Sequence, residues 1–254
     1  MPGCRPLSSE EIARVAASFT GPWALRDRAM FVLGCWTGFR ISELLSLTCG
    51  DVLRALPKNP SPAGRGQGDG APTHPSPFKG EARERVLTAG DIAERITVAR
   101  RHMKLKRQGR SVPVHSEARA ALAAWLEVLR VKGLLAAATP VFCSRMRRRR
   151  GKADALLPFG ELPVQDEGAP ETDRKPLTRG QAWQILHAAF VRCGIHGQTG
   201  THSMRKSFAR RVHRNARGNV ARVQQALGHA SLASTTTYLA ADQDDVDQAI
   251  LGED

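Results

Sequence analysis

The sequence predicts a mainly helical chain with one small antiparallel β-sheet, an α+β protein, and three observations carry that expectation. Apolar residues recur at helical spacing through most of the chain. Strand-like alternation is confined to two short runs, ITV at Ile96 to Val98 and SVPV at Ser111 to Val114, with Arg107 to Arg110 read as the turn between them. Two stretches dominated by Pro, Gly, Ser and charge interrupt the pattern, one at about 56–85 and one at about 145–172.

The first helix announces itself in LSSEEIARVAASF, where Ser8 and Glu11 have capping-box spacing and Leu7 and Ile12 can close a hydrophobic staple around the cap. From Arg28 to Leu47 the run RAMFVLGCWTGFRISELLSL reads as two helices broken at Thr37-Gly38. The first is nearly all apolar and so buried. The second sets Ile41, Leu44 and Leu45 on one face and has Arg40 at its start. The segment from 56 to 85 cannot bury a core and reads as an insertion in a loop.

Pro113 has no N–H for a ladder, so its strand belongs at an edge or pairs on one side. SEARAALAAWLEVLRVKG then has helical spacing through Ala118, Leu122, Trp125, Leu126 and Leu129, ending near Gly133. RMRRRRGK carries six basic residues in eight positions: Arg145, Arg147, Arg148, Arg149, Arg150 and Lys152. As a solvated loop it strengthens backbone contacts to a polyanion without reading bases. Helices resume in TRGQAWQILHAAFVRCG, HSMRKSFARRVHRN and NVARVQQALGHASLASTTTYL. The whole, residues 1–254, reads as a single domain with two irregular excursions.

Charge narrows the partner. The 254 residues carry 38 Lys and Arg against 24 Asp and Glu, a net charge of +14, which favours nucleic acid over neutral metabolites. No run approaches the ~18 apolar residues of a membrane span and MPGCRPLSSEE lacks a secretory core, so a cytoplasmic, nucleoid-associated protein without a membrane partner is expected. The five cysteines are scattered and never form C-x-x-C, so neither a disulfide framework, a metal site nor a cofactor is indicated.

Tyr238 is the only tyrosine, beside eight phenylalanines and four tryptophans. Taken alone it fits packing as well as chemistry. His202 and Arg205, at i and i+3, share a helix face, and Arg40 has Glu43 three residues on. Singly, each of these is more often structural.

The ordered set TGFRISELLSLTCGDV, a lysine-bearing hairpin ending in RSVPV, THSMRKSFA and ALGHASLASTTTYL resembles the catalytic domain of the tyrosine recombinase, or phage integrase, family. The resemblance covers the chain apart from the two excursions. It implies that Arg40 is the first catalytic arginine with Glu43 as its helical companion, that His202 and Arg205 form the H-x-x-R pair, that His229 is the second histidine, and that Tyr238 is the nucleophile. The hairpin lysine is Lys104, which matches the first position of the family's K-T-K wording, or Lys106. The family's N-terminal DNA-clamping domain is not evident, so weak, strongly salt-dependent DNA binding is expected.

The residue types suit phosphoryl transfer without metal or ATP. Two arginines offer permanently charged planar forks for nonbridging oxygens. A phenol with a reference pKa of about 10 needs a base or a cationic setting, which His202 and the arginines supply. A lysine protonates the departing 5′ oxygen. The resemblance thus implies a site-specific recombinase that cuts and rejoins double-stranded DNA through a 3′-phosphotyrosyl intermediate, as a tetramer on synapsed DNA, with the acidic segment after Tyr238 packing on a neighbouring subunit; read by its composition, that segment is equally a solvated tail that offsets a basic body. Two other readings stay open on these motifs: a noncatalytic helix-turn-helix regulator and a type IB topoisomerase-like enzyme.

Overall fold

In the computed structural model of the chain the described residues are 4–54, 86–98, 109–147 and 174–239, the side chains of 145–147 and 237 excepted. Helix α1 (Ser9–Ala17) starts on the capping box that the sequence spells: the Glu11 backbone N–H donates to Ser8 Oγ at 3.1 Å, and the Ser8 N–H donates to Glu11 Oε2 at 2.9 Å. Leu7 and Ile12, the staple pair, are both buried.

Helix α2 (Ala24–Thr37) is the centre of the core. It has no polar face over Ala29 to Cys35, and every residue of that stretch is buried. It is covered by α1, by α5 (Ser116–Val131) and by α7 (Thr201–Asn215). Gly38, at φ 60°, ends it in the left-handed conformation expected of a helix C-cap. The chain turns at once into α3 (Ile41–Leu45), which buries Ile41, Leu44 and Leu45 as the spacing predicts, and then into α4 (Cys49–Val52).

Strands β1 (Arg95–Val98) and β2 (Arg110–Pro113) pair antiparallel, Arg95 opposite Pro113 and Val98 opposite Arg110. Ile96, Val98 and Val112 point inward. Arg110 is the first residue of β2 and lies on that inward face, so it belongs to the strand and not to the turn that the sequence suggested. Helix α5 buries Ala118, Leu122, Trp125, Leu126 and Leu129, and Gly133, at φ 66°, follows its end.

A second two-stranded ladder joins β3 (Cys143–Arg147) to β4 (Arg174–Pro176). The sequence reading placed residues 145 to 147 in an irregular loop, because a run of arginines carries no alternation for a strand to declare. Helix α6 (Arg179–Arg192), capped by Thr178 and Gln181, precedes α7. The stretch NVARVQQALGHASLASTTTYL, helical in pattern throughout, is two helices, α8 (Val220–Leu227) and α9 (Leu232–Leu239), parted at Gly228 with φ 64°. A small second core of Phe208, Ala209, Val223 and Leu227 sits under Tyr238 and Leu239. The nucleophile candidate therefore rides on a satellite cluster, not on the main core. Among the described residues no helix is long and apolar enough to cross a membrane.

Candidate active site

The site is organised by one turn and two helix ends. Between α2 and α3 the chain must reverse within three residues, and Gly38 makes this possible twice over: its φ is 60°, and a Cβ built there would lie 2.3 Å from Phe208 Cδ1 on α7. That turn delivers Arg40 to the N-cap of α3. The Arg40 backbone N–H donates to Glu43 Oε2 at 2.8 Å and its Nη1 donates to Glu43 Oε1 at 2.7 Å. Glu43 is 1% exposed whereas the Arg40 side chain is 28% exposed, so the carboxylate is fixed and the guanidinium reaches outward from it.

Helix α7 carries the H-x-x-R pair. Arg205 is buried, donating through Nη1 to the Gly38 carbonyl and through Nη2 to the Leu227 carbonyl at 2.8 Å. One side chain thus ties the α2–α3 turn to the end of α8. Burial, with the neighbouring charge of Arg40, pushes the Arg205 guanidinium down to about 10. It stays cationic at neutral pH. His202, on the exposed side of the same helix, has its imidazole held below the ordinary range by partial desolvation and then by Arg205, Arg40 and Lys206, so it is neutral and able to accept a proton.

Past the left-handed Gly228, the His229 backbone N–H donates to the Gln224 carbonyl at 3.1 Å, and Gln224 Nε2 donates to the His229 carbonyl at 3.2 Å. His229 Nδ1 lies 3.1 Å from the buried Thr235 hydroxyl, and its ring meets Tyr238 edge-on with centroids 5.5 Å apart. The Tyr238 hydroxyl is 3.5 Å from the His202 carbonyl oxygen. Arg205 and Lys206 stand 6.0 Å and 5.9 Å from the centre of the Tyr238 ring. Burial raises the phenol to about 12, against the pull of Arg205 and Arg40 toward phenolate. The resting tyrosine is neutral.

The structure therefore brings together Arg40, Glu43, His202, Arg205, His229 and Tyr238, although 198 positions separate the first from the last. Lys104 and Lys106 lie outside the described residues, as do Arg148, Arg149, Arg150 and Lys152; Arg145 and Arg147 belong to the backbone of β3, but their side chains lie outside the description. Two cations at the site were missed by sequence reasoning. Lys206 follows Arg205 directly. Arg110 could have been found by extending the alternation of SVPV one residue back, which sets it on the inward face with Val112 and Val114. Among the described residues no group of His, Cys, Asp or Glu assembles at metal-ligand spacing.

The histidine placement has a measurable consequence. Burial first, then the charges of Arg205, Arg40 and Arg110, push His229 down to about 4. Its ordinary value is about 6.5, so the unfolded chain takes up a proton that the folded chain refuses. The stability from this site is fully present above pH 6.5 and is lost as pH falls toward 4. A proton NMR titration should show the His229 ring neutral at pH 5.5, and adding a DNA phosphate should move its midpoint upward. A free-protein midpoint at or above 6.5 contradicts the desolvated position.

Residues 85–244, more than half of the chain, match the model of the phage integrase family. The chain is 30% identical over 241 residues to tyrosine recombinase XerC of Ralstonia pickettii, covering 94% of this chain and 57% of that protein. It is 27% identical over 230 residues to tyrosine recombinase XerC of Herpetosiphon aurantiacus, covering 90% and 52%. Among solved structures it resembles XerA recombinase with a TM-score of 0.58 at 17% identity, over 99% of this chain and 66% of that one. It resembles XerH site-specific recombinase, bound to palindromic difH substrate in a post-cleavage complex, with a TM-score of 0.57 at 17% identity, over 97% and 52%. These structural likenesses speak for the fold. The chain spans about half the length of the curated relatives it matches.

Proposed function

Because the chain belongs to the phage integrase family, we propose that it is the catalytic domain of a site-specific DNA recombinase, with Tyr238 as nucleophile and Arg40, Arg205, His202 and His229 as its catalytic partners. The single observation that carries the reading is the position of the only tyrosine: its ring faces the Arg205 guanidinium, its edge meets His229, and its hydroxyl lies at the start of the helix bearing His202. No packing role requires a phenol to be set among cations in this way.

In the proposed step the Tyr238 oxygen attacks a backbone phosphorus of double-stranded DNA and its proton passes to the neutral His202 imidazole. Arg40, held by Glu43, and Arg205, held by the Gly38 and Leu227 carbonyls, offer their remaining N–H groups to the nonbridging oxygens, where negative charge concentrates. His229 hydrogen-bonds the same group. The phosphorus to 5′-oxygen bond breaks, and a hairpin lysine, Lys104 or Lys106, returns a proton to the departing oxygen. One phosphodiester is exchanged for another, so the 3′-phosphotyrosyl bond keeps the energy for rejoining to a second 5′-hydroxyl, and neither ATP nor a metal is called for. Exchange between two duplexes opens four strands. With one tyrosine per chain, four copies on synapsed DNA are required. The basic run from Arg145 to Lys152 adds sequence-independent phosphate contacts.

The test is a pool of nicked duplexes, randomised around the scissile phosphate, in which the short 5′-hydroxyl fragment diffuses away once cleaved. The chain should accumulate as a slow-migrating, denaturant-resistant adduct with DNA, and Tyr238→Phe should yield none. Equal adduct from Tyr238→Phe refutes the assignment.

A further inference from the structure

Arg110 is the most connected charged group at the site, yet it touches no surface from which it could reach DNA. It is 6% exposed. Its Nη2 donates to the Thr37 carbonyl at 2.5 Å and its Nη1 to the Gly38 carbonyl at 3.3 Å, the same oxygen that Arg205 uses. Nη1 also stands 3.8 Å from Glu43 Oε2, while the other carboxylate oxygen pairs with Arg40. The guanidinium lies over the rings of Phe39 and Phe208, at 5.1 Å and 5.9 Å, and its stem packs on Gly228, just before His229.

Two shared acceptors follow from these contacts. Glu43 is divided between Arg40 and Arg110, and the Gly38 carbonyl between Arg110 and Arg205. Each pairing fixes one phosphate-facing arginine through an acceptor that Arg110 also holds. The arrangement is a poor choice for stability alone. Two guanidinium groups share one carboxylate, burial and the nearby charge of Arg205 push Arg110 down to about 9, and its buried Nε has no hydrogen-bond partner among the described residues. An apolar side chain of similar length would fill the space without desolvating a charge.

We propose that Arg110 is a positioning residue for the arginine clamp: by holding the Thr37-Gly38 carbonyls and standing against the Oε2 edge of Glu43, it sets Arg40 and Arg205 at the spacing that grips a scissile phosphate. This rests on the recombinase reading above. Its effect is transmitted through Arg40 and Arg205, so it should matter only as far as those two residues hold anionic charge.

That dependence supplies the test. Adduct formation by the full chain is timed on the randomised nicked-duplex pool and on the same pool with a methylphosphonate at the scissile position, where one charged oxygen is replaced by a methyl group. Arg110→Met should slow attack on the phosphodiester by on the order of 10²-fold, the penalty of about 1 Å of misplacement, and slow attack on the neutral methylphosphonate far less. Arg110→Lys, a charge without the planar fork, should fall between. The ratio of the two rates within one variant does not depend on how much of it is folded, so partial misfolding leaves the comparison intact. If the wild-type chain forms no adduct, the recombinase reading fails and this inference with it. If the wild type reacts and Arg110→Met loses both substrates in equal proportion, or loses neither, the positioning role alone is overturned.

Discussion

Arg205→Ala is expected to reduce the single-turnover rate of covalent adduct formation by on the order of 10²–10³, the usual penalty for removing one preorganised donor from a developing oxyanion. The effect should exceed that of any other single arginine, because Arg205 serves both chemistry and architecture. It is 2% exposed, it crosses from α7 to the Gly38 and Leu227 carbonyls, and it faces the Tyr238 ring. Truncation leaves the Leu227 carbonyl without this donor, so the denaturation midpoint should fall as well. Arg205→Lys separates the two roles: it restores a cation beside the tyrosine but cannot fork to two carbonyls and a phosphate together. Adduct formation by Arg205→Ala at the wild-type rate would remove this residue from the chemistry.

The second large effect belongs to a residue with no side chain. Gly38→Ala should destabilise the fold by roughly 2–5 kcal/mol, combining about 1–2 for a left-handed residue with a Cβ and about 1–3 for overpacking. Both terms are visible: φ is 60°, and the new methyl would sit 2.3 Å from the Phe208 ring. The site should suffer in step, because the Gly38 carbonyl is the oxygen that Arg110 and Arg205 share. Urea midpoints of Gly38→Ala, Phe208→Ala and the double variant measure this. The double variant should recover the steric part and keep the backbone strain. An unchanged midpoint in Gly38→Ala contradicts the tight turn.

Much of this was legible because it is local. The Ser8–Glu11 cap, the break at Thr37-Gly38, the alternation of Ile96 to Val98 and the burial of Ala118, Leu122, Trp125, Leu126 and Leu129 on α5 each follow from spacing or from a backbone requirement that few residue types meet. The site motifs were legible for another reason, since their order and wording resemble a family. No spacing rule brings Arg40 within reach of a helix that begins at Thr201. That convergence depends on α2 packing against α7, a long-range contact.

What escaped the sequence had opposing local signals. Arg110 is charged, and charged residues are seldom fully buried, so a turn was the natural reading. Its burial depends on carbonyls 72 and 73 positions away in the chain. The β3–β4 ladder joins two short charged segments whose pairing is invisible without their distant partner. The split of α8 from α9 was signalled by Gly228, but a lone glycine inside a helical pattern does not say whether it bends, caps or is merely tolerated.

In the proposed reaction Tyr238 forms the bond to DNA. Digesting the trapped adduct with protease and nuclease and sequencing the modified peptide by tandem mass spectrometry tests it most directly. The expected product is a nucleotide 3′-phosphate joined to the one peptide that contains tyrosine, from the stretch LGHASLASTTTYL. Attachment to a serine, histidine or cysteine, or cleaved DNA with no attached peptide, would contradict it.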